Sequence, residues 1–89
     1  MRRIDVRITG SVQGVFFRQG VKAEAERLGI TGFTRNEPGG SVTITAEGDE
    51  ENLQKLVEWC RKGTKYAKVK KVLVDRKEAN VEFKSFEIK

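Results

Sequence analysis

Ile4, Val6 and Ile8 alternate with Arg3, Asp5, Arg7 and Thr9. A period of two sends successive side chains to opposite faces, so this stretch predicts a strand with one buried face, ended by Gly10. The period then changes. Phe17, Val21, Ala25 and Leu28 recur at helical spacing and predict a helix over roughly 17–28, closed by Gly29. Gly20 lies inside it and, on propensity alone, weakens it by about 1 kcal/mol relative to alanine. Ile30 to Asn36 reads as a second strand, Glu37-Pro38-Gly39-Gly40 as a turn, and Ser41 to Glu47 as a third strand with Val42, Ile44 and Ala46 facing inward. The strands flanking the turn are expected to pair as a hairpin.

Asp49 is a good N-cap for a second helix, and Glu50 and Glu51 suit its electropositive first turn. Leu53, Leu56, Val57 and Cys60 line one face, Arg61 and Lys62 suit the C-terminus, and Gly63 stops it. Trp59 and Cys60 read as packing residues. Ala67 to Val74 is a fourth strand and Val81 to Ile88 a fifth, where the parity break between Phe83 and Phe86 implies a bulge or bend. The order is βαββαβ plus a last strand. Right-handed crossovers put both helices on one face of the sheet, with strands 1 and 3 in the middle. The expected fold is a ferredoxin-like α+β sandwich: an antiparallel sheet, two helices on one face, and an extra C-terminal strand. Residues 1–89 are expected to form a single domain.

Composition narrows the chemistry. The chain has no histidine, which removes His-dependent triads, imidazole proton shuttles and the commonest metal ligand. Cys60 is the only cysteine, so no internal disulfide forms. No Asp, Glu or Cys group has metal-ligand spacing, and neither a metal nor another cofactor is expected. No apolar run is long enough to span a bilayer, and alternation directly after Met1-Arg2-Arg3 leaves no signal-peptide core. A cytoplasmic protein without a membrane partner is expected, and a monomer.

The net charge is +5, and it is unevenly placed: residues 61–77 hold eight basic side chains against Asp75 alone. Such a segment either attracts an anionic partner or forms a solvated face, and the solvated face is the commoner case. The fold is shared with RNA-binding domains, which stack bases on aromatics of the central strands. Here the outward positions are Arg3, Asp5, Arg7, Thr9, Ser41, Thr43 and Thr45, none aromatic. Nucleic acid is therefore not the expected partner.

The candidate chemistry lies in GSVQGVFFR, residues 10–18. A loop that runs from a strand into a helix points unpaired N–H groups outward, at the electropositive helix end. Gly14 lets the backbone curl into an anion nest. Arg18, in the first helical turn, can fold its planar fork over the same cavity. On physics alone this is equally a phosphate or carboxylate cradle and a tight turn with Arg18 on the surface. Neither the GxxxxGK[ST] spacing nor GxGxxG is present.

GSVQGVFFR resembles the signature of the acylphosphatase family, a glycine and VQGV(x)FR loop before helix 1. Gly32-Phe33-Thr34-Arg35-Asn36 is similar to the second family motif, and Pro38-Gly39-Gly40 through Gly48 to the third. The likeness is strongest over 10–48. Phe33 stands where the family commonly has tryptophan, and Gly63-Thr64-Lys65-Tyr66-Ala67 has threonine where the family usually has proline.

The resemblance implies metal-independent hydrolysis of acyl phosphates to a carboxylate and inorganic phosphate. Arg18 and the backbone N–H groups of Gly14, Val15, Phe16, Phe17 and Arg18 would bind the phosphoryl group, and the Asn36 side chain would hold the attacking water. Without the resemblance, Asn36 is better read as a turn residue before Glu37-Pro38. Acyl phosphates carry a good leaving group, so positioning and charge stabilisation can suffice without histidine or a nucleophilic thiol. The partner expected is a small acyl phosphate or inorganic phosphate, with the acyl group left largely outside the pocket and specificity broad. The same domain occurs within larger maturation proteins; the end at Lys89 favours a free-standing enzyme over an idle accessory domain.

Overall fold

The computed structural model describes residues 1–89. The elements run β1 (Arg2–Ser11), α1 (Phe17–Arg27), β2 (Thr31–Asn36), β3 (Val42–Gly48), α2 (Glu50–Lys62), β4 (Lys68–Glu78) and β5 (Phe86–Ile88). They form one five-stranded sheet in the order β4-β1-β3-β2-β5. Both helices pack on one face, over Ile4, Val6 and Ile8 of β1 and Val42, Ile44 and Ala46 of β3, all buried. The alternation in β1 and β3 thus decides which face is dry. Register pairs Val6 with Ile44 and Ile8 with Val42, so apolar side chains meet across the strands as well as along them.

The helices complete the core with the expected stripes: Phe17, Val21 and Ala25 from α1, and Leu53, Leu56, Val57 and Cys60 from α2. Cys60 is fully buried, and burial pushes its thiol up to about 12, so it behaves as a small apolar residue. Asp49 occupies the N-cap position of α2 with extended backbone, but its side chain caps no amide. Gly20 marks the tight crossing of the helices: a Cβ there would lie 2.4 Å from the Trp59 ring.

Three boundaries differ from expectation. β1 does not stop at Gly10; it continues to Ser11 through a register shift at Thr9/Gly10, because β4 keeps pairing with it. β4 runs on beyond Val74 to Glu78, in register with the whole of β1, and Lys77 and Arg76 are anchored by Asp5 and Glu50. Charged residues that read as loop on propensity are held in the strand by partners on β1 and α2.

The extra strand is present but short, limited to Phe86–Ile88. It joins β2 in parallel, so the sheet is antiparallel through four strands and mixed at its last edge. The parity break expected between Phe83 and Phe86 is a change of face. Phe83 packs edge-on to Phe33 with ring centroids 5.9 Å apart, whereas Phe86 is buried in the core under the helices.

Candidate active site

β1 ends at Ser11, still paired with β4, and residues 12–16 carry the chain into α1. Val12 is buried and pins the start of the loop to the core. Gly14 takes φ 74° and Phe16 takes φ 63°, so the backbone turns twice through the left-handed region before the helix begins. Glycine enters that region freely; phenylalanine does so at a strain of about 1–2 kcal/mol. The first helical bond is Gly20 N–H to the Phe16 carbonyl, and the amides of Gly14 to Arg18 donate to no backbone carbonyl. Unpaired N–H groups curled at a helix N-terminus are what anion-binding concavities are built from. Beside them lies a pocket of about 140 Å³ lined by Val12, Gly14, Phe16, Phe17, Arg18 and Gln19.

Arg18 lines this pocket from the first turn of α1, and its Nη1 donates to the Lys89 backbone oxygen at 3.4 Å. It has no Asp or Glu side chain within ion-pair distance. Val15 and Asn36 are not part of the pocket wall. Asn36 closes β2, where it pairs with Val42, itself paired with Ile8 of β1. The row Asn36–Val42–Ile8 puts Asn36 at the end of the sheet from which the loop departs. Asn36 Oδ1 is buried and accepts no hydrogen bond. It is an unsatisfied acceptor at this end of the sheet.

Two side chains brace this end of the molecule, and neither follows from spacing. Gln13 Nε2 donates to the carbonyls of Glu37 and Ser41 at 2.9 and 2.8 Å, tying the loop to the turn beside Asn36. Thr64 Oγ1 donates to the Val15 carbonyl at 2.8 Å, tying the loop to the segment after α2. Thr64 stands where the family pattern has proline, which has no donor to give. Gln13 lies inside the motif itself; that is the only signal in the sequence that marks it.

Arg35 points away from the pocket role and bonds Glu37 at 2.6 Å. The Thr43 hydroxyl and the Arg35 guanidinium hold the Glu37 carboxyl below the usual carboxylate range. Glu37 is thereby kept charged and engaged, next to Asn36 in sequence. The largest concavity, about 480 Å³, is elsewhere, on the open sheet face between Asp5, Arg7, Phe33, Arg35 and Leu73. It contains none of the residues expected to act on a phosphate.

The family model described as Acylphosphatase matches residues 4–88. The chain belongs to the acylphosphatase family. An acylphosphatase of Rubrobacter xylanophilus is 40% identical over 88 residues, covering 99% of this chain and 80% of that one. An acylphosphatase of Methylococcus capsulatus is also 40% identical, covering 99% and 96%. The crystal structure of acylphosphatase from Bacillus subtilis superposes with a TM-score of 0.95 at 34% identity, over 99% of this chain and 98% of that one. The ferredoxin-like sandwich read from element order is the fold of these acylphosphatases.

Proposed function

We propose that residues 1–89 act as one domain that hydrolyses acyl phosphates without a metal ion, with Arg18 and Asn36 as its catalytic residues. Acyl phosphate hydrolysis follows from the family; the assignment of residues is our reading of the geometry. The observation that carries it is a single small pocket lined by Gly14, Phe16, Phe17 and Arg18, whose amides bond no carbonyl, and by the Arg18 side chain, which has no Asp or Glu partner. Such a pocket suits a small oxyanion such as a phosphoryl group.

The phosphoryl oxygens accept hydrogen bonds from the amides of Gly14 to Arg18 and from the Arg18 guanidinium. Water held by the Asn36 side-chain amide turns an oxygen lone pair toward phosphorus. Attack forms the new P–O bond as the bond from phosphorus to the acyl oxygen breaks. The electron pair leaves with the carboxylate, and the water's proton passes to a phosphoryl oxygen. No side chain needs to titrate near neutrality. The enzyme's contribution is positioning and a fixed field for spreading negative charge.

The test is hydrolysis of benzoyl phosphate in the presence of EDTA, by the wild type and by Arg18→Ala of matched circular dichroism. Turnover by the wild type and its loss in the variant is the expected result. Turnover abolished by EDTA and restored by a divalent cation would reject the metal-free mechanism. Full activity in Arg18→Ala would reject the assignment of the clamp.

A further inference from the structure

The cradle holds a phosphoryl group and has no room for what the phosphate is attached to. Its rim shows where the rest of the substrate goes. Phe16 takes a left-handed backbone conformation and leaves 64% of its surface in water. Strain and exposure together have no packing return, and an outlier of this kind at a candidate site points to a ligand-facing role. A second exposed aromatic lies beside it: Tyr66 is 58% exposed, and the two ring centroids are 6.3 Å apart at an interplanar angle of 57°.

Phe16 and Tyr66 are 50 positions apart in the sequence. The Thr64 hydroxyl bond to Val15 brings them together, since it joins the residue before Phe16 to the residue two before Tyr66. Phe16 is also part of the pocket wall that Arg18 lines. Lys65 Nζ sits 5.1 Å from the centre of the Tyr66 ring, which steadies that ring on one side. The result is an open aromatic corner at the mouth of an anion-binding pocket.

We propose that Phe16 and Tyr66 form a platform for the acyl group, and that it favours acyl phosphates with flat, apolar acyl groups over small ones. This rests on the acyl phosphatase reading of the pocket. Aromatic groups in such offset or tilted contacts gain affinity beyond simple area burial. The selectivity expected is correspondingly modest, so that many acyl phosphates are still accepted.

The test measures kcat/KM for benzoyl phosphate and for acetyl phosphate and takes their ratio. Both substrates present the same phosphoryl group, so damage to the cradle cancels in the ratio. After allowance for the two substrates' uncatalysed rates, the wild type is expected to prefer benzoyl phosphate. The ratio is expected to fall about three- to tenfold in Tyr66→Ala, and to be kept in Tyr66→Phe. Phe16→Asn, which removes the ring but tolerates the left-handed backbone, is expected to lower it by a similar factor. An unchanged ratio in both Tyr66→Ala and Phe16→Asn overturns the platform while leaving the activity standing. A wild type that hydrolyses neither compound overturns the activity, and the platform with it.

Discussion

Arg18 and Asn36 differ in what they touch, and so should differ kinetically. In the proposed mechanism Arg18 contacts the phosphoryl oxygens in the ground state and more strongly in the transition state, where their charge is redistributed. Arg18→Ala is expected to raise KM and to lower kcat together, by about 10²–10³ in kcat. In that mechanism Asn36 contacts only the water, so Asn36→Ala is expected to lower kcat by a similar factor with KM near wild type. Steady-state kinetics separates the two; equal KM effects in both variants would contradict the division of labour. Thr64 acts one step further out, through the Val15 carbonyl. Thr64→Val keeps the shape and removes the donor. It is expected to reduce kcat/KM several-fold with little change in urea midpoint, and Thr64→Ser is expected to restore it. A fall in stability without a kinetic effect would make Thr64 merely structural.

Among elements, the apolar periods of β1, β3, α1 and α2 were legible because each buries one continuous stripe. Gly20 was legible only as a defect. Propensity favours alanine there by about 1 kcal/mol. The packing reverses this, because a Cβ would meet the Trp59 ring at 2.4 Å, and that ring is itself locked edge-on to Phe17 at 5.5 Å. Overpacking of this kind costs about 1–3 kcal/mol. Gly20→Ala is therefore expected to lower stability, by up to about 2 kcal/mol net. A raised urea midpoint would show that Trp59 can move aside freely. The ends of β4 and β5 were not legible for a related reason. Lys77 and Arg76 stay in β4 through partners on β1 and α2, and β5 is set by where β2 offers a free edge.

For the whole molecule, the carboxylates make folding sensitive to acid. Burial alone would raise Asp5, but Lys77, Thr45 and Arg3 outweigh it and hold its carboxyl below the ordinary value. Arg27 lowers Glu24 in the same sense, and Thr43 with Arg35 lowers Glu37. A depressed value in the fold means that the unfolded chain binds protons first as pH falls. Their stabilisation is complete above the unfolded carboxylate range, about pH 4, and is lost as pH drops through the folded values. The urea midpoint is expected to hold steady from pH 7 to about 5 and then decline. Asp5→Asn should make that decline shallower. A midpoint independent of pH down to 3 would show that these ion pairs contribute nothing.

The sequence by itself determined the face of each element, the order of elements, and so the sandwich. One-sided burial leaves an alternating strand or an apolar helical stripe a single way to lie. The family and the two residues proposed to act came from the likeness of residues 10–18 and 32–36 to the family motifs, since on physics alone the loop reads equally as a tight turn and Asn36 as a turn residue. Tertiary structure alone decided what holds that loop in place. Gln13 reaches the carbonyls of Glu37 and Ser41, and Thr64 reaches that of Val15. These are bonds from side chain to backbone across 24 to 49 residues, and they leave no period in the chain. The meeting of Phe16 with Tyr66 is of the same kind, since only the folded chain brings position 66 to the rim of the pocket opened by position 16.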